Sequence, residues 1–278
     1  MNGDSHLRFL DWDLTKSRYN ETDALPLMAT PGPVLMILAL YLLYVLKIGP
    51  SLMTKREPYK LKAALVLYNG IQVVGSVYLA QRYFVQLMQQ GILPRTCHLD
   101  IENERTEILI SIWFYFAAKV TELLDTVFFV MRKKDNQVTF LHLYHHSIMM
   151  VGTWAYLKYW PSTTLIFIGF LNSMVHVFMY TYYGLAALGP EVAKYIFWKK
   201  YITKIQLIQF VCIIIHYNTA VRYSECPPSN GVATFVACNT VFFLLLFLNF
   251  YRQSYNRINK QCNGISNKEK CEKSIKEE

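Results

Sequence analysis

The chain has 278 residues, 53% of them hydrophobic and 15% aromatic, with a net charge of +9 at pH 7. A soluble domain of this size carries more charge and lacks repeated long apolar runs, so that class is excluded and a membrane protein is expected. Nor is the positive charge a nucleic-acid footprint, because the lysines and arginines gather in short loops between apolar segments.

Residues 1–26 form a polar head of mixed charge with no apolar stretch of signal-peptide length, so the first apolar segment must act as the targeting signal. A helix needs roughly 20 predominantly apolar residues to cross a hydrocarbon core about 30 Å thick. Seven segments reach that length: 27–48, 63–87, 107–131, 138–160, 163–188, 201–221 and 232–251. The joins are too short for a second domain. The expectation is an all-α polytopic membrane protein: a lumenal segment 1–26, a seven-helix catalytic domain 27–251 and a cytosolic tail 252–278.

Orientation follows from the basic residues. Lys47, Lys55, Arg56, Lys60 and Lys62 share a side with Arg132, Lys133, Lys134, Lys194, Lys199, Lys200, Lys204 and the basic tail. The opposite side holds fewer: Arg8, Lys16, Arg18, Arg82, Arg95, Arg105, Lys158 and Arg222. This puts the N-terminus in the lumen and the C-terminus in the cytosol. Asn20-Glu21-Thr22 is a glycosylation sequon usable only on the lumenal side. Cys212 and Cys238 lie in spans and Cys262 and Cys271 in the tail, which leaves Cys97 and Cys226 on the oxidising side as an expected disulfide.

Charged and polar side chains at bilayer depth are costly and mark function or an internal pair. The third span carries Lys119, Glu122 and Asp125 at spacings of three, on neighbouring parts of one helical face. Lys119 and Glu122 can pair with each other, whereas Asp125 has no cation at helical spacing before Arg132 and is expected to support a polar site. The fourth span opens with His142, His145 and His146, whose i, i+3, i+4 spacing projects all three from one face. Asn172, His176 and Tyr180 form a matching stripe on the fifth span, followed by Tyr182 and Tyr183. The sixth adds Thr203, Gln206 and Gln209, which as readily hold helices together as line a site. His6, His98 and His216 have no partner pattern and read as surface or structural residues.

Imidazoles in this pattern serve metal ligation or covalent chemistry. Membrane desaturases and hydroxylases bind two irons with histidines spread over three boxes, but outside this box only His176 and His216 lie in spans here. A mononuclear three-ligand site stays open, with Glu122 and Asp125 as its only outer-shell carboxylates. The alternative is a neutral imidazole acting as base or nucleophile in a low-dielectric bundle, oriented by a second polar group. Developing oxyanion charge would then meet Asn172, Tyr180 or another imidazole. A seven-span receptor or transporter is the non-enzyme alternative. It does not need a triple-histidine face opposite a polar stripe, and neither internal repeats nor broken helices are visible.

Four motifs in order resemble the very-long-chain fatty acid elongases: Lys119-x-x-Glu122-Leu-x-Asp125-Thr126, His142-x-x-His145-His146, Asn172-x-x-x-His176-x-x-Met179-Tyr180-x-Tyr182-Tyr183, and Thr203-x-x-Gln206-x-x-Gln209-Phe210. Wording such as Val-Met-Arg-Lys-Lys is similar to the animal branch that handles saturated and monounsaturated chains. The resemblance implies seven helices enclosing an acyl-chain tunnel in the endoplasmic reticulum membrane. It implies condensation of an acyl-CoA with malonyl-CoA to 3-ketoacyl-CoA, carbon dioxide and CoA, with no metal or other cofactor. It implies His145 as nucleophile and His176 as the group that meets the malonyl unit. His142 and His146 would orient the site, Asn172 would donate a hydrogen bond, and Lys119, Glu122, Asp125, Tyr180 and Gln206 would support it. It also implies work beside the 3-ketoacyl-CoA reductase, 3-hydroxyacyl-CoA dehydratase and enoyl-CoA reductase of the elongation cycle, with membrane lipids around it and a homodimer as a possible assembly. Arg132, Lys133, Lys134, Lys199, Lys200 and Lys204 stand at the cytosolic mouth, where they either hold CoA phosphates or only signal topology. Two departures from the family pattern stand out. Ile148-Met149-Met150-Val151-Gly152 replaces a Pro-Trp pair after the histidine box, and the lysines of Lys273-Ser-Ile-Lys276-Glu-Glu are misplaced for a dilysine retrieval signal.

Overall fold

The computed structural model describes residues 16–253 apart from 95–96, 194, 196–197 and 225–226, and not the side chains of Ala193 and Lys199. His6, the outer part of the N-terminal head and the tail from residue 254, with Cys262, Cys271 and the dilysine-like end, lie outside the described residues. All regular structure among the described residues is helical.

The long helices are α1 (Gly32–Met53), α2 (Lys62–Gln90), α3 (Glu102–Thr121), α4 (Leu123–Met131), α5 (Phe140–Tyr159), α6 (Thr164–Ala187), α7 (Lys199–Tyr223) and α8 (Asn230–Tyr251). Five of them, α1, α2, α6, α7 and α8, are long and apolar enough to cross a membrane by length and composition. The chain is therefore a multi-pass membrane protein, and apolar residues such as Met36, Leu40, Ile71, Val74, Met88, Ile208 and Ile215 face outward from these helices.

The expected spans 107–131 and 138–160 are also helical but do not qualify on that measure. The first is interrupted at Glu122, which leaves α4 only 9 residues long, while α3 carries Glu102, Glu104, Arg105, Glu107 and Lys119. In the second, three histidines, several tyrosines and Lys158 dilute the apolar character of α5.

Local sequence explains the element ends. Pro33 starts α1 in its first turn, where a missing N–H costs nothing. Pro50 removes a donor further along and its ring crowds the preceding turn, and α1 widens to a π-helical stretch over Tyr44–Ile48 just before it. Gly91, at φ 80°, closes α2 by donating its N–H to Leu87 O at 2.8 Å. Thr139 caps α5 with its hydroxyl accepting from His142 N.

Packing runs from helix to helix as α2–α6–α7–α8–α5–α3 and back to α2, with α3 also reaching α6. The α2–α6 seam is the most extensive. There Gly169 makes room for Tyr83: a Cβ at 169 would sit 2.5 Å from the Tyr83 ring. Tyr83 is fully buried and donates to Ser111 O at 3.1 Å, tying α3 to the same seam. Helix α1 lies against α5, and its Gly49–Met53 end against α4.

Residues 17–29, before α1, are part of the fold. Lys158, at the end of α5, is fully buried and donates to Asp23 Oδ1 at 2.7 Å, Met28 O at 2.8 Å, Ala29 O at 3.0 Å and Ser17 Oγ at 3.1 Å. Arg105 holds Glu21 at 2.7 Å and covers the Tyr19 ring, while Trp113 and Trp154 donate to Pro26 O and Leu27 O. Burial alone would raise the pKa of Asp23, but bonds from Lys158 and Ser17 outweigh it and hold the carboxyl below its ordinary value. Glu21 is also held low, by its own backbone N–H and by Arg105. Cys97 is disulfide-bonded; Cys226 lies outside the described residues.

Candidate active site

The buried polar residues converge where α3, α4, α5 and α6 meet. Lys119 donates to Glu122 Oε1 at 2.8 Å and Oε2 at 3.0 Å, so the pair within the third expected span forms. The pair does not end there. Lys119 also donates to Asn172 Oδ1 at 2.8 Å, and Glu122 Oε1 lies 3.1 Å from His176 Nδ1. Both charges are almost fully buried, at 2% and 3% side-chain exposure, which is tolerable only because each neutralises and hydrogen-bonds the other.

These contacts set the state of the groups around them. A carboxylate only accepts, so the proton between Glu122 and His176 sits on Nδ1. Asn172 Oδ1 accepts from both Lys119 and, at 2.8 Å, the Tyr115 hydroxyl. Its amide nitrogen is therefore turned away from them, with two N–H groups to give. Tyr180 donates to Asp125 Oδ2 at 2.8 Å, and its ring stands edge-on to His176 and Tyr68.

On α5 the three imidazoles form one face. The rings of His142 and His146 lie 4.2 Å apart, those of His145 and His146 5.3 Å, and His145 also meets the edge of Phe243 from α8. His142 Nε2 is 2.9 Å from Thr126 Oγ1, which is 2.8 Å from the Tyr41 hydroxyl. Among the described residues no group of three or more His, Cys, Asp or Glu side chains is arranged to hold a metal ion.

Other expected site residues stand apart. Gln206 contacts Met179 Sδ at 3.8 Å instead of the imidazoles. Lys133 and Lys134 follow α4 and are exposed, with Arg132 half-buried beside them. Lys200 and Lys204 occupy the first turns of α7, Lys204 over the Tyr201 ring. Asn20 is exposed while Thr22 of the same sequon is fully buried. His216 is buried against Phe167, and His98 pairs with Glu104. Sequence reasoning missed Tyr41, Tyr68 and Tyr115. Only Tyr115 carried a usable signal, one turn before Lys119 on the same face.

A family profile described as ELO: GNS1/SUR4 family matches residues 26–263, which include every residue of this cluster. Very long chain fatty acid elongase 7 of Drosophila melanogaster is 40% identical over 232 residues, covering 83% of this chain and 70% of that protein. Very long chain fatty acid elongase 4 of Mus musculus is 39% identical over 233 residues (83% and 74%), and that of Homo sapiens 38% over 258 (88% and 82%). With a match over most of its length and through the whole polar cluster, the chain belongs to the ELO family, that of the very long chain fatty acid elongases.

Proposed function

We propose that this protein is a very long chain fatty acid elongase that condenses an acyl-CoA with malonyl-CoA. The observation that carries the reading is the face of three imidazoles on α5 beside the buried Lys119–Glu122–His176 chain. In the first half-reaction His145 attacks the acyl thioester. A C–N bond forms, the C–S bond breaks, the imidazole proton leaves with the thiolate, and CoA departs as the free thiol. In the second, malonyl-CoA loses carbon dioxide, which a site poor in water favours because the carboxylate sheds its charge. The enolate attacks the acyl-imidazole, the C–N bond breaks, and the departing imidazolate takes a proton from water, the one proton the overall reaction consumes. The sum is 3-ketoacyl-CoA, carbon dioxide and CoA. His176, with Glu122 behind Nδ1, meets the malonyl unit, and the Asn172 amide donates to developing oxyanion charge.

The same reading makes α3–α4 and α5 the two further crossings, bringing the spans to seven around an acyl-chain tunnel. The protein then sits in the endoplasmic reticulum membrane, N-terminus lumenal, and hands its product to the three later enzymes of the cycle. Arg132, Lys133, Lys134, Lys199, Lys200 and Lys204 face the cytosol and receive CoA phosphates. The test is incubation of purified protein with C16 to C24 acyl-CoA donors and malonyl-CoA, without NADPH. The expected result is a 3-keto product two carbons longer, and acylation of His145 when malonyl-CoA is omitted. No product with any donor overturns the function, and acyl label on another residue overturns the role of His145.

A further inference from the structure

We propose that Tyr41 and Thr126 fix His142 as a neutral Nδ1–H donor to the thioester oxygen, which makes α1 part of the catalytic apparatus. The proposal rests on the condensation reading above and deepens it. Tyr41 comes from α1, which stands outside the sequence of helices that packs around to itself, yet its hydroxyl is buried and 2.8 Å from Thr126 Oγ1. Thr126 is fully buried and in turn 2.9 Å from His142 Nε2.

Proton counting fixes the direction of this chain. Thr126 is the only hydrogen-bond partner of the Tyr41 hydroxyl among the described residues. Were Thr126 to donate to Tyr41, the phenol O–H would be buried without an acceptor. Tyr41 therefore donates to Thr126, and the single proton of Thr126 goes to His142. An imidazole that accepts at Nε2 carries its own proton on Nδ1. That nitrogen has no hydrogen-bond partner among the described residues; the imidazole packs against His146 at 4.2 Å and Phe129 at 5.2 Å. One turn from His145 on the same face, it is placed to meet the oxygen that gains charge as the thioester is attacked. A fixed neutral donor does this without transferring a proton. His142 is thus the catalytic residue of the set, and Tyr41 and Thr126 are positioning residues.

The test uses the full-length protein in nanodiscs and follows single-turnover release of CoA from an acyl-CoA. Tyr41→Phe is expected to slow acylation about tenfold, the worth of one lost buried hydrogen bond, with KM unchanged. Thr126→Val slows it more, Thr126→Ser keeps the hydroxyl and restores most of the rate, and Tyr41→Phe/Thr126→Val is no slower than Thr126→Val alone because the two act in series. Nitrogen-15 spectra of labelled histidine should show His142 protonated at Nδ1 in the wild type and a tautomer mixture in Tyr41→Phe. A wild-type rate for Tyr41→Phe, additive effects in the double variant, or an Nε2–H His142 would overturn the proposal. Absence of acyl transfer by the wild type, with the Nδ1–H tautomer present, overturns the condensation reading instead and leaves the hydroxyl chain standing.

Discussion

Glu122 Oε1 stands 3.1 Å from His176 Nδ1, so a buried carboxylate at the junction of α3 and α4 fixes the tautomer of an imidazole on α6. The same oxygen receives Lys119 at 2.8 Å. One residue thereby compensates a buried cation and orients an imidazole.

Glu122→Gln removes both services at once. It leaves Lys119 as an uncompensated buried charge, a loss of about 3–5 kcal/mol, and frees His176 to take the wrong tautomer, for which a drop of about 100-fold or more in condensation rate is expected. Thermal unfolding and a 3-ketoacyl-CoA assay separate the two. Adding Lys119→Met should recover stability but not rate; recovery of both would mean that Glu122 matters only as a counter-ion.

Gly169→Ala should destabilise the α2–α6 seam by about 1–3 kcal/mol, because the new methyl meets the Tyr83 ring. Tyr83→Leu in the same chain should recover part of that loss. A stability for Gly169→Ala equal to wild type, measured by thermal unfolding in detergent, would show that the seam relaxes freely.

Lys158→Met should cost about 1–3 kcal/mol, since it leaves the half-exposed Asp23 carboxylate to solvent and removes the ammonium that gathers Ser17, Asp23, Met28 and Ala29. Limited proteolysis should then cut between residues 17 and 30 well before the bundle unfolds. Uniform resistance there would mean that Trp113, Trp154 and Arg105 hold the segment unaided.

The lowered pKa of Asp23 gives this attachment a pH dependence. A carboxylate held below its unfolded value of about 3.9 contributes its full stability above that pH and loses it as pH falls through the folded value. Trp154, bonded to Leu27 O, reports the loss by fluorescence. Acidification should release the segment in wild type, whereas in Asp23→Asn the acid-dependent part attributable to this group should be absent. Superimposable curves would remove Asp23 from the transition.

A non-reducing peptide map should join Cys97, which is disulfide-bonded, to Cys226. Linkage to any other cysteine would reject that pairing.

The histidine face and the Asn172–His176–Tyr180 stripe were legible because helical spacing is a local property that sequence displays directly. The Lys119–Glu122 pair was legible for the same reason. The interruption at Glu122 was not, since neither glycine nor proline marks it. Tyr41 and Thr126 lie 85 residues apart, and no local pattern announces that one aromatic hydroxyl of an apolar helix will meet one threonine. Lys158 counts as one more basic residue in a topology argument, and only tertiary packing turns it into a buried hub. The segments 107–131 and 138–160, expected to span, do not qualify by length and composition, in part because the histidines and Lys119 that build the site lower their apolar character.

The attachment of Asp23 to Lys158 also imposes an order in time. Its partners are 135 residues apart, so at about 5–20 residues per second the first segment synthesised waits roughly 7–30 s for the lysine that will anchor it. During that wait Arg105 can already hold Glu21, but Thr22 lacks the cover of α5, and afterwards it is sealed from solvent. Any enzyme that must read that triplet has a window that opens with the nascent chain and closes when α5 arrives.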